Sequence, residues 1–319
     1  MYVDGKIITG TNSILISQLK QHLQESFHIK DLGSLTYILG LEITVGSHGI
    51  FLSQHKYAQD LVAATGLQDS TPLDTPMELN LKLRKEEGDL LPDPAAYRTL
   101  VGSLVYLTIT KPDISYAVQQ VSQFMASPRL LHMVAVRRII LYVHGTTLRG
   151  LFYLASTSLD LVAYSDVDYA GCSDTRHSTT GWCMFLGLAL ISWKSKKQDH
   201  VSKSSTESEY RAMSQACAEI HWIRGLLAEL GFSPSSPTPL HADNTSAIHI
   251  SANPIFHEHT KHIKVDCHFI REAFEAPTIS LPHLSSNLQV ADIFTKALTR
   301  PRHQFLTTKL MLIDNPHQF

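Results

Sequence analysis

The chain has 319 residues, of which 44% are hydrophobic, enough for two or three compact units. Its formal net charge of −2 neither indicates nor excludes a nucleic-acid partner, because acidic residues that bind cations offset basic residues elsewhere. The four cysteines are widely spaced, which excludes a disulfide framework and a zinc knuckle. The sequence has no signal peptide and no apolar run long enough to span a membrane. It therefore predicts an intracellular protein of the cytoplasm or nucleus with no membrane partner.

Residues 1–70 alternate short apolar runs with turns. Asp4-Gly5 lies between apolar segments and predicts a hairpin, because glycine tolerates the positive φ of a type I′ turn. The chain begins within this strand-like run, so we expect it to be the tail of a longer protein. Prolines and charges at 68–95 indicate a linker or surface loop. The other predicted elements are a helix near 13–27, strands near 35–43 and 50–52, and a helix near 55–66.

Residues 96–145 predict three helices that form a small bundle. Leu100, Leu104 and Leu107 recur at helical spacing, and Pro112 stands where a helix start favours proline. From about residue 160 the pattern changes to strand alternation. The predicted elements there are strands near 162–166, 181–186, 190–193, 240–243 and 278–283, and helices near 205–230, 262–275 and 290–298.

Four acidic residues of this second half stand at strand ends or helix starts. Hydrolysis of a phosphodiester with two Mg²⁺ ions requires several carboxylates around one point, where they hold both ions. The candidates for such a site are Asp166, Glu209, Asp243 and Asp292.

Three of these acids have a structural interpretation that is nearly as good when each is taken alone. Asp166 fits a turn after a strand, and Asp292 fits the first turn of a helix, where the helix dipole favours an acid. Asp243 fits the N-cap of the following helix, although Asn244 fits that position too. Their joint occurrence in this order of elements favours the metal site.

Glu209 is the acid that its helix distinguishes best. It would complete a capping box with Thr206, but Ser204 and Glu207 form one equally well and leave Glu209 free. On a helix Glu209 shares the apolar face of Met213, whereas Glu207 lies on the opposite, solvent side. An acid at the inner edge of an apolar face requires a metal or another partner.

Seven segments of the second half carry motifs that resemble the ribonuclease H region of copia-type LTR retrotransposon Pol polyproteins. They cover most of residues 160–300 in the family's order. The segments are YSDVDYAG at 164–171, DTRHSTTGW at 174–182, ISWKSKKQ at 191–198, SSTESEYRA at 204–212, ADN at 242–244, KHIKVDCHFIRE at 261–272 and ADIFTK at 291–296.

The resemblance implies an α/β ribonuclease H-like fold, with a mixed five-stranded sheet flanked by helices. It implies that Asp166 bridges two Mg²⁺ ions, with Mn²⁺ as the alternative metal, and that Glu209, Asp243 and Asp292 complete the site. Its substrate would be an RNA–DNA hybrid. Integrases of the same broad fold use three acids in a different order, which by the resemblance separates this region from them.

The first half resembles the reverse-transcriptase palm and thumb of the same family. The matching motifs are YVDG at 2–5, FHIKDLG at 27–33, YILGLEI at 37–43, YRTLVGSLVYL at 97–107 and KPDISYA at 111–117. The polymerase motif has paired metal-binding aspartates, but here Asp4 is followed by Gly5, and the segment carrying the other metal-binding aspartate would precede Met1. We therefore predict a truncated palm, an α+β unit of hairpins, without polymerase activity.

Basic and histidine residues suggest further roles. Lys194, Lys196, Lys197 and Lys203 crowd a predicted loop before the Glu209 helix and fit phosphate contacts to the hybrid, although a solvated charged loop is an equal alternative. The resemblance implies that His283 assists proton transfer. Three further histidines lie close together in the sequence: His257, His259 and His262. Their spacing is loose and no cysteine pair completes a zinc site, so the role of this histidine cluster stays open.

Taken together, the sequence predicts a partial reverse-transcriptase palm at 1–95, a helical thumb or connection at 96–150, a ribonuclease H-like domain at 160–300 and a tail at 301–319. The predicted function is two-metal hydrolysis of RNA in RNA–DNA hybrids. The alternatives are a relic that binds nucleic acid without cutting it, and a DNA-directed integrase or resolvase, which would cut duplex DNA instead of the hybrid. A partner that supplies the rest of the polymerase, or self-association, is left open.

Overall fold

A computed structural model describes residues 6–27, 29–252 and 264–314. The predicted Asp4-Gly5 hairpin and the cluster of His257, His259 and His262 lie outside these residues. In the described ranges no helix is both long and apolar enough to cross a membrane.

The first half builds an antiparallel sheet with helices. The helix at Ser13–Phe27 has no buried residue. The strand at Gly49–Ser53 alternates buried and more exposed positions, as a strand with one covered face does. The predicted helices near 13–27 and 55–66 and the strand near 50–52 are confirmed, but the strand expected over 35–43 is divided into two by a turn at Leu39 and Gly40, where φ is positive. The elements are α1 (Ser13–Phe27), β1 (Tyr37–Ile38), β2 (Leu41–Gly46), β3 (Gly49–Ser53) and α2 (His55–Ala64).

A helical bundle follows, as predicted. It contains α3 (Pro94–Leu107), α4 (Ser115–Ser122) and α5 (Leu130–Gly145). Asp93 caps α3 by accepting hydrogen bonds from the backbone amides of Ala95 at 2.9 Å and Ala96 at 3.3 Å, and Pro94 occupies the first turn. The apolar faces of the three helices share one buried core with residues of α2.

The second half contains the mixed sheet that the resemblance implies. Its five strands stand in the order β7-β6-β5-β8-β9, with β5, β6 and β7 antiparallel and β5, β8 and β9 parallel. The long helix α6 packs its apolar face on β5 and β6. The elements are β4 (Arg149–Leu154), β5 (Leu161–Asp168), β6 (Thr179–Leu186), β7 (Ala189–Lys197), α6 (Ser205–Glu229), β8 (Thr238–His241), α7 (Thr245–Ala252), α8 (Lys264–Glu275) and β9 (Ile279–Ser280).

Two local predictions are wrong. The loop expected around Lys194 and Lys196 is strand, because β7 stays paired with β6 as far as Lys197 opposite Thr179. The helix expected near 290–298 is only a short 3-10 helix, Val290–Phe294. It ends at Thr295, whose side-chain hydroxyl donates to the carbonyl oxygen of Asp292 at 3.2 Å, a local bond that competes with helix continuation.

The end of the chain returns to the first sheet. Helix α9 (Arg300–Lys309) is followed by β10 (Leu312–Asp314), which pairs antiparallel with β4 and completes the sheet order β1-β2-β3-β4-β10. A buried apolar cluster joins residues of both sheets, among them Leu151 and Leu312 from the first and Cys183 and Phe185 from the second. The two halves therefore share part of their core, and the domain division stated above stays a prediction.

Gly181 is a point of close approach in the second sheet. It lies opposite Asp166 in the β5–β6 register, and a Cβ atom built there would meet the Cγ2 atom of Thr295 at 2.5 Å and the Cβ atom of Phe294 at 2.8 Å. The absent side chain thus lets the Val290–Phe294 segment lie against β6.

We expect Gly181→Ala to lower the free energy of unfolding by about 1–3 kcal/mol, because the added methyl group overpacks this contact. The midpoint of urea unfolding measures it. Gly102→Ala is the control: Gly102 lies exposed in α3 with open space around the new methyl group, so the change should raise stability by about 0.5–1 kcal/mol. Equal effects of the two substitutions would contradict this packing account.

Candidate metal centre

Asp166 lies near the end of β5 in the middle of the second sheet. Its side chain is 2% exposed. The hydroxyl of Thr295 donates a hydrogen bond to its Oδ2 atom, and the Lys296 ammonium lies 3.2 Å from the same oxygen. The position of Asp166 between β6 and β8 makes it a central group on which residues of other elements can converge.

Glu209 lies in the first turns of α6, on the buried face that periodicity predicts. Its side chain is 6% exposed, and its neighbours along that face, Met213, Ala216 and Ile220, are fully buried. Ser204 caps α6 by accepting a hydrogen bond from the Glu207 amide at 3.1 Å, as predicted. Glu207 does not face solvent as expected: its side chain is 11% exposed and pairs with Arg211 at 3.0 Å.

Asp243 follows the end of β8 and is half-buried. The Asn244 Oδ1 atom accepts a hydrogen bond from the Ala247 amide at 3.0 Å and so caps α7, which leaves Asp243 without that structural role. The Asp243 Oδ2 atom accepts a hydrogen bond from the hydroxyl of Ser286 at 2.7 Å.

These three carboxylates converge. One oxygen from each of Asp166, Glu209 and Asp243 lies within 4.8 Å of the others. The Oε2 atom of Glu209 is buried and has no hydrogen-bond partner among the described residues. Because Mg²⁺ and Mn²⁺ prefer carboxylate oxygens, and because a buried polar atom without a partner is costly, the residues fit a divalent cation.

The electrostatics of the cluster show what the cation would neutralise. Burial, followed by the charges of Asp166 and Asp243, raises the pKa of Glu209 to about 9. Burial also raises the pKa of Asp166 to about 6, against the opposing effect of Lys296. Without a cation Glu209 therefore holds a proton near neutral pH, which it would lose when a metal binds.

Asp292 occupies a different part of the centre. Its side chain, in the Val290–Phe294 segment, forms ion pairs with Lys296, at 2.8 Å from Oδ1, and with Arg302, at 3.0 Å from Oδ2. It is near enough to Asp166 to raise that group's pKa, but it is not one of the three acids whose oxygens converge.

Lys296, Thr295 and Arg302 contact the carboxylates, and the sequence interpretation gave none of them a role. The spacing of four between Asp292 and Lys296 is a usable signal, since residues so spaced meet on a helical turn. The contact of Thr295 with Asp166 spans 129 positions, and nothing in local spacing points to it.

His283 lies at the sheet edge beside the centre. It is exposed, and its backbone pairs with Ala242, the residue before Asp243. The next residue, Leu284, donates its amide to the Ala242 carbonyl at 2.9 Å, which holds this loop against the end of β8.

The four lysines do not form one cluster. Residues paired across antiparallel strands share a face, so Asp166, Gly181 and Ser195 lie on one face of the sheet and Lys194 and Lys196 on the other. Lys197 is half-buried, with its ammonium 2.9 Å from the Oε1 atom of Gln123. Lys203 precedes the N-cap of α6 and is exposed.

Comparison with known proteins relates the whole chain to transposon polyproteins. Residues 1–79 match the family model described as reverse transcriptase (RNA-dependent DNA polymerase). The chain is 42% identical over 316 residues to the retrovirus-related Pol polyprotein from transposon RE2 of Arabidopsis thaliana, which covers 99% of the chain and 22% of that relative. It is 31% identical over 223 residues to a putative transposon Ty5-1 protein of Saccharomyces cerevisiae, covering 69% of the chain and 72% of that protein.

A solved structure is also similar. The solved structure of LC11-RNase H1, a protein isolated from compost by a metagenomic approach, aligns with 43% of this chain. The alignment covers 93% of the LC11-RNase H1 chain, at 13% sequence identity and a TM-score of 0.34. A likeness at this level carries no conclusion about the chain's chemistry.

The match to the reverse-transcriptase family model and the similarity to transposon polyproteins identify the chain as part of a retrotransposon Pol polyprotein. It belongs to the family of copia-type LTR retrotransposon Pol polyproteins, as its motifs predict. The chain spans about a fifth of the length of the Arabidopsis relative, so the activities of the whole polyprotein are not transferred to it.

The raised pKa of Glu209 predicts how stability depends on pH. Since this pKa is about 9 in the folded, metal-free chain against an ordinary 4.5, the folded state holds a proton that the unfolded state releases. Stability is therefore greatest below pH 4.5 as far as Glu209 is concerned, and is lost as pH rises towards 9.

We expect Glu209→Gln to flatten this decline, because glutamine does not titrate. Thermal unfolding in EDTA, across that pH window, measures the difference between the two proteins. A parallel decline in both would show that Glu209 does not carry the buried proton. Added Mg²⁺ should stabilise the parent most at the alkaline end, since binding needs the ionised cluster.

Proposed function

We propose that the chain is a magnesium-dependent ribonuclease H that hydrolyses the RNA strand of RNA–DNA hybrids. The observation that carries this proposal is the convergence of Asp166, Glu209 and Asp243 within 4.8 Å, with a buried Glu209 oxygen that lacks a partner among the described residues. Membership of a reverse-transcribing family supports the choice of a hybrid as substrate.

Asp166, Glu209 and Asp243 would hold the metal, and Asp292 would complete the site for two ions. Bound Mg²⁺ would activate a water molecule and stabilise the leaving oxygen of the phosphodiester, and Mn²⁺ would serve in its place. Asp166 is the residue best placed to serve both ions, because it lies between the Glu209–Asp243 side and the Asp292 side.

The surrounding residues position these carboxylates. Thr295 orients Asp166 through its hydroxyl, and Ser286 orients Asp243 at 2.7 Å. Glu209 must give up its proton for metal to bind, and the burial that raises its pKa makes this the most pH-sensitive step. His283, exposed on the loop beside Asp243, would exchange protons with solvent near the reacting phosphate.

We also propose that polymerase activity is lost. The reverse-transcriptase motif at residues 2–5 has Asp4 followed by Gly5, where the family pattern has a second aspartate. A single carboxylate at this position removes one of the ligands on which a two-metal polymerase centre depends.

An end-labelled RNA–DNA hybrid with Mg²⁺ tests the nuclease. The parent should cut the RNA strand, and Asp166→Asn and Asp243→Asn should each lower the rate by roughly 10²-fold or more, because each removes a carboxylate that would hold the divalent cation at the reacting phosphate. Asp60→Asn is the matched control, since Asp60 is exposed on α2, and it should retain full activity.

Other outcomes decide between the alternatives. Hybrid binding without cutting, in the parent and every variant, would make the chain a binding relic and remove the catalytic proposal. Cutting of duplex DNA in preference to the hybrid would favour an integrase or resolvase.

The placement of the lysines allows a second test. Lys203 adjoins the helix start that carries Glu209, whereas Lys194 lies on the face of the sheet opposite Asp166. If Lys203 contacts a backbone phosphate, Lys203→Ala should reduce the slope of log affinity against log salt by about 1.

The matched control, Lys194→Ala, should leave that slope unchanged. Fluorescence anisotropy of a labelled hybrid over a salt series measures both. The reverse result would place the phosphate contact at β7 instead of the start of α6.

A further inference from the structure

The Lys296 ammonium lies between two acids of the metal centre. Its Nζ atom is 3.2 Å from the Oδ2 atom of Asp166 and 2.8 Å from the Oδ1 atom of Asp292. A positive charge thus already lies between the two acids that would hold a second metal ion in the proposed nuclease.

Local structure holds this arrangement in place. The Lys296 amide donates to the Asp292 carbonyl at 3.2 Å, so the two side chains emerge one turn apart and on the same side. Arg302 fixes the other oxygen of Asp292 at 3.0 Å and also donates to the carbonyls of Ser286 and Gln289, both at 3.1 Å. Asp292 is therefore held by two cations, one on each oxygen.

On the side of the centre formed by Glu209 and Asp243, no ammonium lies between the acids among the described residues. Glu209 has a buried oxygen without a hydrogen-bond partner in the described ranges, and the group that contacts Asp243 is a neutral hydroxyl, that of Ser286. A divalent ion entering on the side of Glu209 and Asp243 meets, among the described residues, a carboxyl oxygen without a hydrogen-bond partner and a neutral hydroxyl, and no ammonium bridges these two acids. An ion entering between Asp166 and Asp292 must displace an ammonium.

We propose that Lys296 is a tethered cation that competes with a divalent ion for the Asp166–Asp292 side of the centre. The two metal positions are therefore unequal: one ion binds tightly, and the second binds only when Lys296 moves away. The Lys296 side chain is 43% exposed, so its ammonium has open solvent to move into. The inference rests on the metal site of the proposed function and adds an order of filling to it.

Titration of the full chain with Mn²⁺ alone, by calorimetry and by electron paramagnetic resonance, tests the inference without substrate. The parent should bind one ion tightly and a second weakly. Lys296→Gln removes the competing charge and keeps a hydrogen-bond donor, so it should tighten the second site by about tenfold. Lys296→Arg keeps the charge and should leave the second site weak.

Lys194→Gln is the control for the loss of one lysine, because Lys194 lies on the opposite face of the sheet, and it should not alter either constant. Thermal unfolding in EDTA checks that each variant is folded. If Lys296→Gln fails to fold, Lys296→Met takes its place: it removes the charge but keeps an unbranched side chain of similar length, and it should tighten the second site as well.

The results separate this inference from the nuclease proposal. An unchanged or weaker second site in Lys296→Gln, or no Mn²⁺ bound to any variant, overturns the inference. If the hybrid is cut while the second site is unaffected, the nuclease stands and the competition is wrong. If the second site tightens but no hybrid is cut, the competition stands and the nuclease is wrong.

Discussion

The burial of several carboxylates at one point, and after it their mutual repulsion, is the constraint on which the rest of this structure depends. Asp166, Glu209 and Asp292 are each less than a tenth exposed, and Asp243 adds a further acid. Unpaired charges in such a place cost several kcal/mol each, roughly speaking. The chain limits that cost with a proton on Glu209 and with the Lys296 ammonium beside Asp166, and a bound divalent cation would replace the proton.

The fold brings these acids together from elements that are distant in the sequence. Asp166 and Asp243 come from the parallel neighbours β5 and β8, so both lie towards the same edge of the sheet. The third acid comes from the capped start of α6, which packs across that sheet. Close packing of residues 290–295 on β6 brings Asp292 and Lys296 to the other side, and this approach requires the bare backbone at Gly181.

Much of this could be predicted from the sequence, because several signals are local. Helical periodicity placed Glu209 on the buried face, and the pair Asp243-Asn244 offered two candidates for one cap, of which the structure uses Asn244. Signals that depend on tertiary contact could not be found in this way. The spacing of Lys194, Lys196 and Lys197 suggested one basic loop, but strand pairing with β6 divides them between two faces.

The same limit explains why Lys296 and Arg302 were missed while Asp292 was found. An acid near a helix start is a recognisable pattern, but the partners of that acid depend on how the chain turns after Thr295. Helix α9 carries Arg302 back to Asp292, and the strand after it pairs with β4 of the first sheet. The geometry of one side of the metal centre is therefore anchored in the reverse-transcriptase-like half. Loosening of β10 from β4 would release α9, and with it the cation that holds the second oxygen of Asp292. The second half of this chain therefore depends on its first half for the placement of Arg302 at Asp292.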